Sequence, residues 1–112
     1  MITVGPSPSE KLPPPDSLCP NDGKTKSITG TGEDDTLIGN PKSNIMIGLG
    51  GDDKINGCKG DDIISGGKGN DAIAGSKGND IITGEDGNDF LDGSKGNDKI
   101  YGGKGGGQYF TR

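Results

Sequence analysis

The sequence predicts an all-β fold, a solenoid of short stacked strands, and three observations predict it. Residues 66–98 read GGKGNDAIAGSKGNDIITGEDGNDFLDGSKGND, a nine-residue beat without slippage. Only 25% of the residues are hydrophobic, too few for a helical bundle or a layered α/β core. Glycine supplies 24 of 112 residues without the three-residue period of collagen, and the strict periodicity argues against simple disorder.

In chain order, residues 1–20 are a leader that holds six of the seven prolines and keeps no helical or alternating pattern. Proline fixes φ and withholds a donor, so this stretch is expected to be extended and semi-rigid, with residues 2–4 able to add as a short strand. The periodic region runs over residues 21–110, and residues 111–112 form a tail. The two cysteines, Cys19 and Cys58, could pair, but two thiols in a glycine-rich chain do not decide the matter.

Cutting the chain every nine residues from Gly30 gives nine blocks, each opened by glycine. The sixth position carries Asp35, Asn44, Asp53, Asp62, Asp71, Asp80, Asp89, Asp98 and finally Gly107. The eighth is always large and apolar: Leu37, Met46, Ile55, Ile64, Ile73, Ile82, Leu91, Ile100 and Tyr109. Residues 21–29 fit as a degenerate lead-in block, with Ile28 in the apolar slot. In a three-residue strand the eighth position faces away from the seventh and ninth, so the eighth-position ladder is the core.

This pattern resembles the calcium-binding nonapeptide repeats of the RTX family, G-G-x-G-x-D-x-U-x, over about four-fifths of the chain. The resemblance implies a parallel β-roll (β-solenoid) in which six residues make a calcium-binding turn and three make a strand. Two blocks then complete one coil of 18 residues, giving two short parallel sheets that face each other across one layer of side chains. A right-handed coil follows from the general rule for parallel crossovers. Block two, GNPKSNIMI, lacks the fourth-position glycine and the aspartate; block nine, GGKGGGQYF, lacks the aspartate.

The residue types suit a hard divalent cation. Stacked aspartates would recur at about the 4.8 Å inter-strand spacing, where like charges repel by roughly 3–4 kcal/mol at an effective dielectric near 20. Calcium takes six to eight oxygens in an adaptable shell, and glycine-rich turns can aim main-chain carbonyls inward. The candidate metal ligands are the carboxylates of Asp35, Asp53, Asp62, Asp71, Asp80, Asp89 and Asp98. Carbonyl ligands are expected from Gly51, Gly60, Gly67, Gly69, Gly78, Gly87 and Gly96.

The family arrangement implies an ion between two turns stacked on the same side. Good sites are therefore expected at Asp35/Asp53, Asp53/Asp71, Asp71/Asp89, Asp62/Asp80 and Asp80/Asp98. Weaker or empty ones are expected at Asn44/Asp62 and at Asp89 with the block-nine turn, making about five strong calcium sites and two weaker. Asn70, Asn79, Asn88 and Asn97 at the fifth position are expected to serve turn geometry. Lys59, Lys68, Lys77, Lys95 and Lys104 at the third are expected to be solvated.

Other chemistries are poorly supported. There is no histidine, and two cysteines are too few for structural zinc. No phosphate-binding loop and no Gly-x-Ser-x-Gly elbow occurs, so the chain does not read as an enzyme. A net charge of −5 argues against nucleic acid as a partner. No apolar run reaches the roughly 18 residues of a membrane span.

Ile45, Ile63 and Ile81 should form an outward row, expected to be covered by the leader or by a second subunit. That row, the leader and the open coil ends would suit a homo-oligomer or filament. The resulting expectation is a calcium-binding extracellular or cell-surface structural protein that folds on metal and self-assembles. Its alternative is a module of a larger secreted protein that aids calcium-triggered folding and secretion.

Overall fold

The computed structural model describes residues 12–21 and 27–110, with the last three of these as backbone only. The expected strand at residues 2–4 and the tail at residues 111–112 lie outside the described residues.

Ten strands follow one another at nine-residue intervals. They are β1 (Ser27–Thr29), β2 (Thr36–Ile38), β3 (Ile45–Ile47), β4 (Lys54–Asn56) and β5 (Ile63–Ser65). The series continues with β6 (Ala72–Ala74), β7 (Ile81–Thr83), β8 (Asp89–Asp92), β9 (Lys99–Tyr101) and β10 (Gly107–Phe110). β8 and β10 are one residue longer than the expected three, because each takes in its sixth position.

Odd- and even-numbered strands separate into two parallel sheets, ordered β1-β3-β5-β7-β9 and β10-β8-β6-β4-β2. Ile55 lies opposite Ile73 and Ile64 opposite Ile82, so each strand pairs with the one 18 residues further on. This is the all-β parallel solenoid that the nine-residue beat implies. Main-chain bonds such as Gly48 N–H to Ser65 O (2.8 Å) and Ala72 N–H to Asp53 O (2.8 Å) extend the ladder beyond the strands into the turns.

The core is the eighth-position column. Leu37, Met46, Ile55, Ile64, Ile73, Ile82 and Leu91 are buried, with Ile28 and Ile100 packed at its ends. A single apolar side chain per strand fills the gap between the sheets, which is how so small a hydrophobic fraction suffices.

The leader takes a different course from the one expected. Its described part makes a 3-10 turn, Asp16–Leu18, and lies against the outer face of the even-numbered strands. Asn56 Nδ2 donates to Pro14 O (2.6 Å) and to Asp16 Oδ1 (2.8 Å), and Ser76 Oγ lies 2.7 Å from the same carboxylate oxygen. Those two hydrogen bonds hold Asp16 below the usual carboxylate range.

Cys19 and Cys58 form a disulfide, with their Cα atoms 6.0 Å apart. The row of Ile45, Ile63 and Ile81 is therefore not what this part of the leader covers, and all three remain exposed. The cause is polar: Asn56 and Ser76 offer partners that the isoleucine row lacks.

Candidate metal centre

The turns between strands stack into two edges. One carries Asp35, Asp53, Asp71 and Asp89; the other carries Asn44, Asp62, Asp80 and Asp98. Six sixth-position N–H groups donate to Oδ1 of the residue one coil ahead, three of them on the first edge: Asp35 to Asp53 (2.9 Å), Asp53 to Asp71 (2.8 Å) and Asp71 to Asp89 (2.9 Å). On the other edge the same bond joins Asn44 to Asp62 (2.7 Å), Asp62 to Asp80 (2.8 Å) and Asp80 to Asp98 (2.8 Å). The side chains are thereby locked in orientation by main chain that the repeat itself provides.

The other carboxylate oxygen is the chemically telling one. Oδ2 of Asp53, Asp62, Asp71, Asp80, Asp89 and Asp98 is buried with no hydrogen-bond partner. Asp53, Asp62, Asp71, Asp80 and Asp89 are at most 2% exposed. A buried, unsatisfied carboxylate oxygen is costly, and six in register call for a common compensating charge.

Burial raises the acid constants accordingly. Asp71 is pushed up to about 8, with the charges of Asp53 and Asp89 adding to the effect, and Asp53 and Asp89 are pushed up to about 6. Burial also raises Asp62, Asp80 and Asp98.

Main-chain oxygens fill the space around these carboxylates. A methyl group placed on Gly48 would lie 2.6 Å from Asp53 Oδ2 and 2.7 Å from Gly66 O, so the first-position glycine leaves room for both oxygens. Gly69 and Gly78 at the fourth position have φ of +104° and +115°. A side chain there would overlap the carbonyls of Gly51 and Gly60 in the preceding turn. Among the described residues no cluster of three or more acidic, histidine or cysteine side chains converges on one point. The oxygen set is instead one carboxylate per turn plus carbonyls, the donor chemistry of a hard cation.

Over residues 29–64, 59–82 and 75–108 the sequence matches the model of the RTX calcium-binding nonapeptide repeat. The chain belongs to the RTX repeat family. No curated protein and no solved structure matches it. The RTX repeats account for the calcium chemistry to which the orphaned oxygens point, and the β-roll is their structural frame.

Two expected site residues differ from the others. Asp35 is half-buried, and its Oδ2 accepts from Thr31 N–H (2.7 Å) and lies 3.1 Å from Thr31 Oγ1. Asn44 has an amide where its neighbours have a charge, and that amide nitrogen faces oxygens only.

Sequence reasoning also missed a further ladder. At the fifth position Oδ1 accepts from the N–H one coil later: Asp52 to Asp34 (2.7 Å), Asn70 to Asp52 (2.7 Å), Asn88 to Asn70 (2.8 Å) and Asn97 to Asn79 (2.9 Å). The column of Asn and Asp at this position was visible in the sequence. Its bonding was not, because an Asx side chain can equally well bond within its own turn. The third-position lysines Lys59, Lys68, Lys77, Lys95 and Lys104 are exposed.

Proposed function

We propose that this RTX β-roll binds calcium between turns stacked on the same edge and serves, outside the cell, as a structural element that folds on the metal. The observation that carries this reading is the pair of columns of buried, partnerless Oδ2 atoms. Asp53/Asp71, Asp71/Asp89, Asp62/Asp80 and Asp80/Asp98 are assigned as calcium sites, with carbonyl oxygens from Gly51, Gly60, Gly67, Gly69, Gly78, Gly87 and Gly96. Asp35/Asp53 is assigned a weaker site, because Thr31 already supplies donors to Asp35. Asp89 is assigned another with the block-nine turn. No catalytic role is assigned.

The Cys19–Cys58 bond supports an oxidising, extracellular setting. Self-association is assigned to the row of Ile45, Ile63 and Ile81, which are 49%, 51% and 39% exposed on one parallel sheet. Sedimentation in calcium and in chelator tests this. Calcium-dependent assembly that Ile63→Lys abolishes is expected, whereas a monomer at all calcium levels would favour a module that aids the folding and secretion of a larger protein.

A further inference from the structure

The Asn44 amide nitrogen meets without metal the demand that its neighbours' Oδ2 atoms leave open, while Asn44 Oδ1, on the other side of the amide, is buried without a hydrogen-bond partner. Its Nδ2 lies 3.0 Å from Asn40 O, 2.7 Å from Lys42 O, 3.2 Å from Gly57 O and 3.0 Å from Asp62 Oδ1. Four acceptors surround it, so the atom at this point must be the nitrogen, and its two hydrogens are shared among them. These oxygens come from blocks two and four, the pair of turns between which this edge would hold an ion.

The position is the one that Oδ2 takes elsewhere. A methyl group on Gly39 would lie 2.7 Å from Asn44 Nδ2 and 2.7 Å from Gly57 O. The corresponding distances at Gly48 are 2.6 Å to Asp53 Oδ2 and 2.7 Å to Gly66 O. One site therefore exists in two chemical forms. With aspartate, the carboxylate oxygen lies beside carbonyl oxygens and needs a cation or a proton to reconcile them; with asparagine, the amide brings its own partial positive charge.

We infer that the Asn44 amide stands in for a calcium ion and closes the turns of blocks two and four without metal. This rests on the calcium reading of the other turns and deepens it. The backbone agrees: Cys58 and Gly60 take left-handed φ of +69° and +99°, whereas neither Asn40 nor Lys42 at the same positions of block two does. Block four is held further by the Cys19–Cys58 bond and by Ile63 N–H donating to Asn44 O (2.9 Å). The turns of blocks two and four thus form a metal-independent start to one edge, on which its calcium-dependent turns stack.

The test has two arms. Calorimetric titration of Asn44→Asp should give one more calcium ion per chain than wild type, with the folded state checked by circular dichroism. In the calcium-saturated wild type, the side-chain amide protons of Asn44 should exchange about tenfold or more slowly than those of exposed Asn97. The exchange arm decides if the variant does not fold. A wild type that takes up no calcium overturns the calcium reading and this inference together. A wild type that binds calcium, combined with a folded Asn44→Asp that gains no ion or with Asn44 protons exchanging as fast as those of Asn97, overturns this inference alone.

Discussion

The main-chain N–H of Asp53 donates to Oδ1 of Asp71, 18 residues further on and 2.8 Å away. One oxygen of the Asp71 carboxylate is thereby committed to the preceding coil, while Oδ2 stays buried without a donor. Backbone geometry aims the side chain and leaves its charge unbalanced. Each internal aspartate consequently faces two neighbouring turns, and removing one disturbs both.

Asp71→Asn should therefore separate stability from binding. Replacing a buried carboxylate with an amide should stabilise the metal-free roll by roughly 1–3 kcal/mol, the range for satisfying a buried polar group. The same change should lower calcium uptake by at least one ion per chain. The β content of metal-stripped wild type and variant by circular dichroism, and calorimetric stoichiometry, check the two signs. Asp35→Asn should change uptake less, because Thr31 already satisfies that carboxylate.

Stability without metal should fall as pH rises. Burial raises Asp71 to about 8 and Asp53 and Asp89 to about 6 in the folded chain, against about 3.9 unfolded. The folded state then holds the extra protons, so this contribution is fully present below about pH 4 and is lost progressively to about pH 8. Circular dichroism of metal-stripped protein should show it as β structure present near pH 4 and lost towards neutral pH. Calcium must displace those protons, so affinity should increase from pH 6 to 8 with measurable proton release.

Gly78→Ala should cost at least about 2 kcal/mol, from a left-handed φ and from overlap with the Gly60 carbonyl. Lys77→Ala next to it is exposed and should stay within about 0.5 kcal/mol. Chemical denaturation of both variants in saturating calcium makes the comparison.

Cutting the disulfide with Cys19→Ser and Cys58→Ser should cost about 4 kcal/mol by loop-closure entropy for residues 39 apart in sequence. The leader should be released with it. Loss of exchange protection at Cys58 N–H, which donates to Asn56 Oδ1 (2.8 Å), is the local sign to measure.

The periodic part of the fold was legible because each position speaks many times. Ile55, Ile73 and Leu91 repeat one environment, so pattern alone places them in one ladder. The columns of Asp53, Asp71 and Asp89 were legible for the same reason. Features that occur once, or that recur without a residue type that signals them, were not.

Asn56 ends its block and Ser76 follows the opening glycine of another, where each passes for ordinary surface variation; only packing reveals that both hold Asp16. Left-handed φ at Leu49, Ser76 and Glu85 was equally hidden, since glycine is the usual signal for that conformation. Asn44 reads in sequence as a lost ligand, because an amide and a carboxylate share a shape and differ only in which atoms carry protons.

The central claim is that calcium balances the buried carboxylate columns and so folds the roll. Its most direct test is a calcium titration of metal-stripped protein at neutral pH, followed by far-ultraviolet circular dichroism with bound metal counted at the end. A shift from a largely irregular spectrum to β structure, saturating with about four to six ions per chain (the four full and two weaker sites assigned above), is the expected result. A full β spectrum before any calcium is added, with none taken up afterwards, would contradict the account.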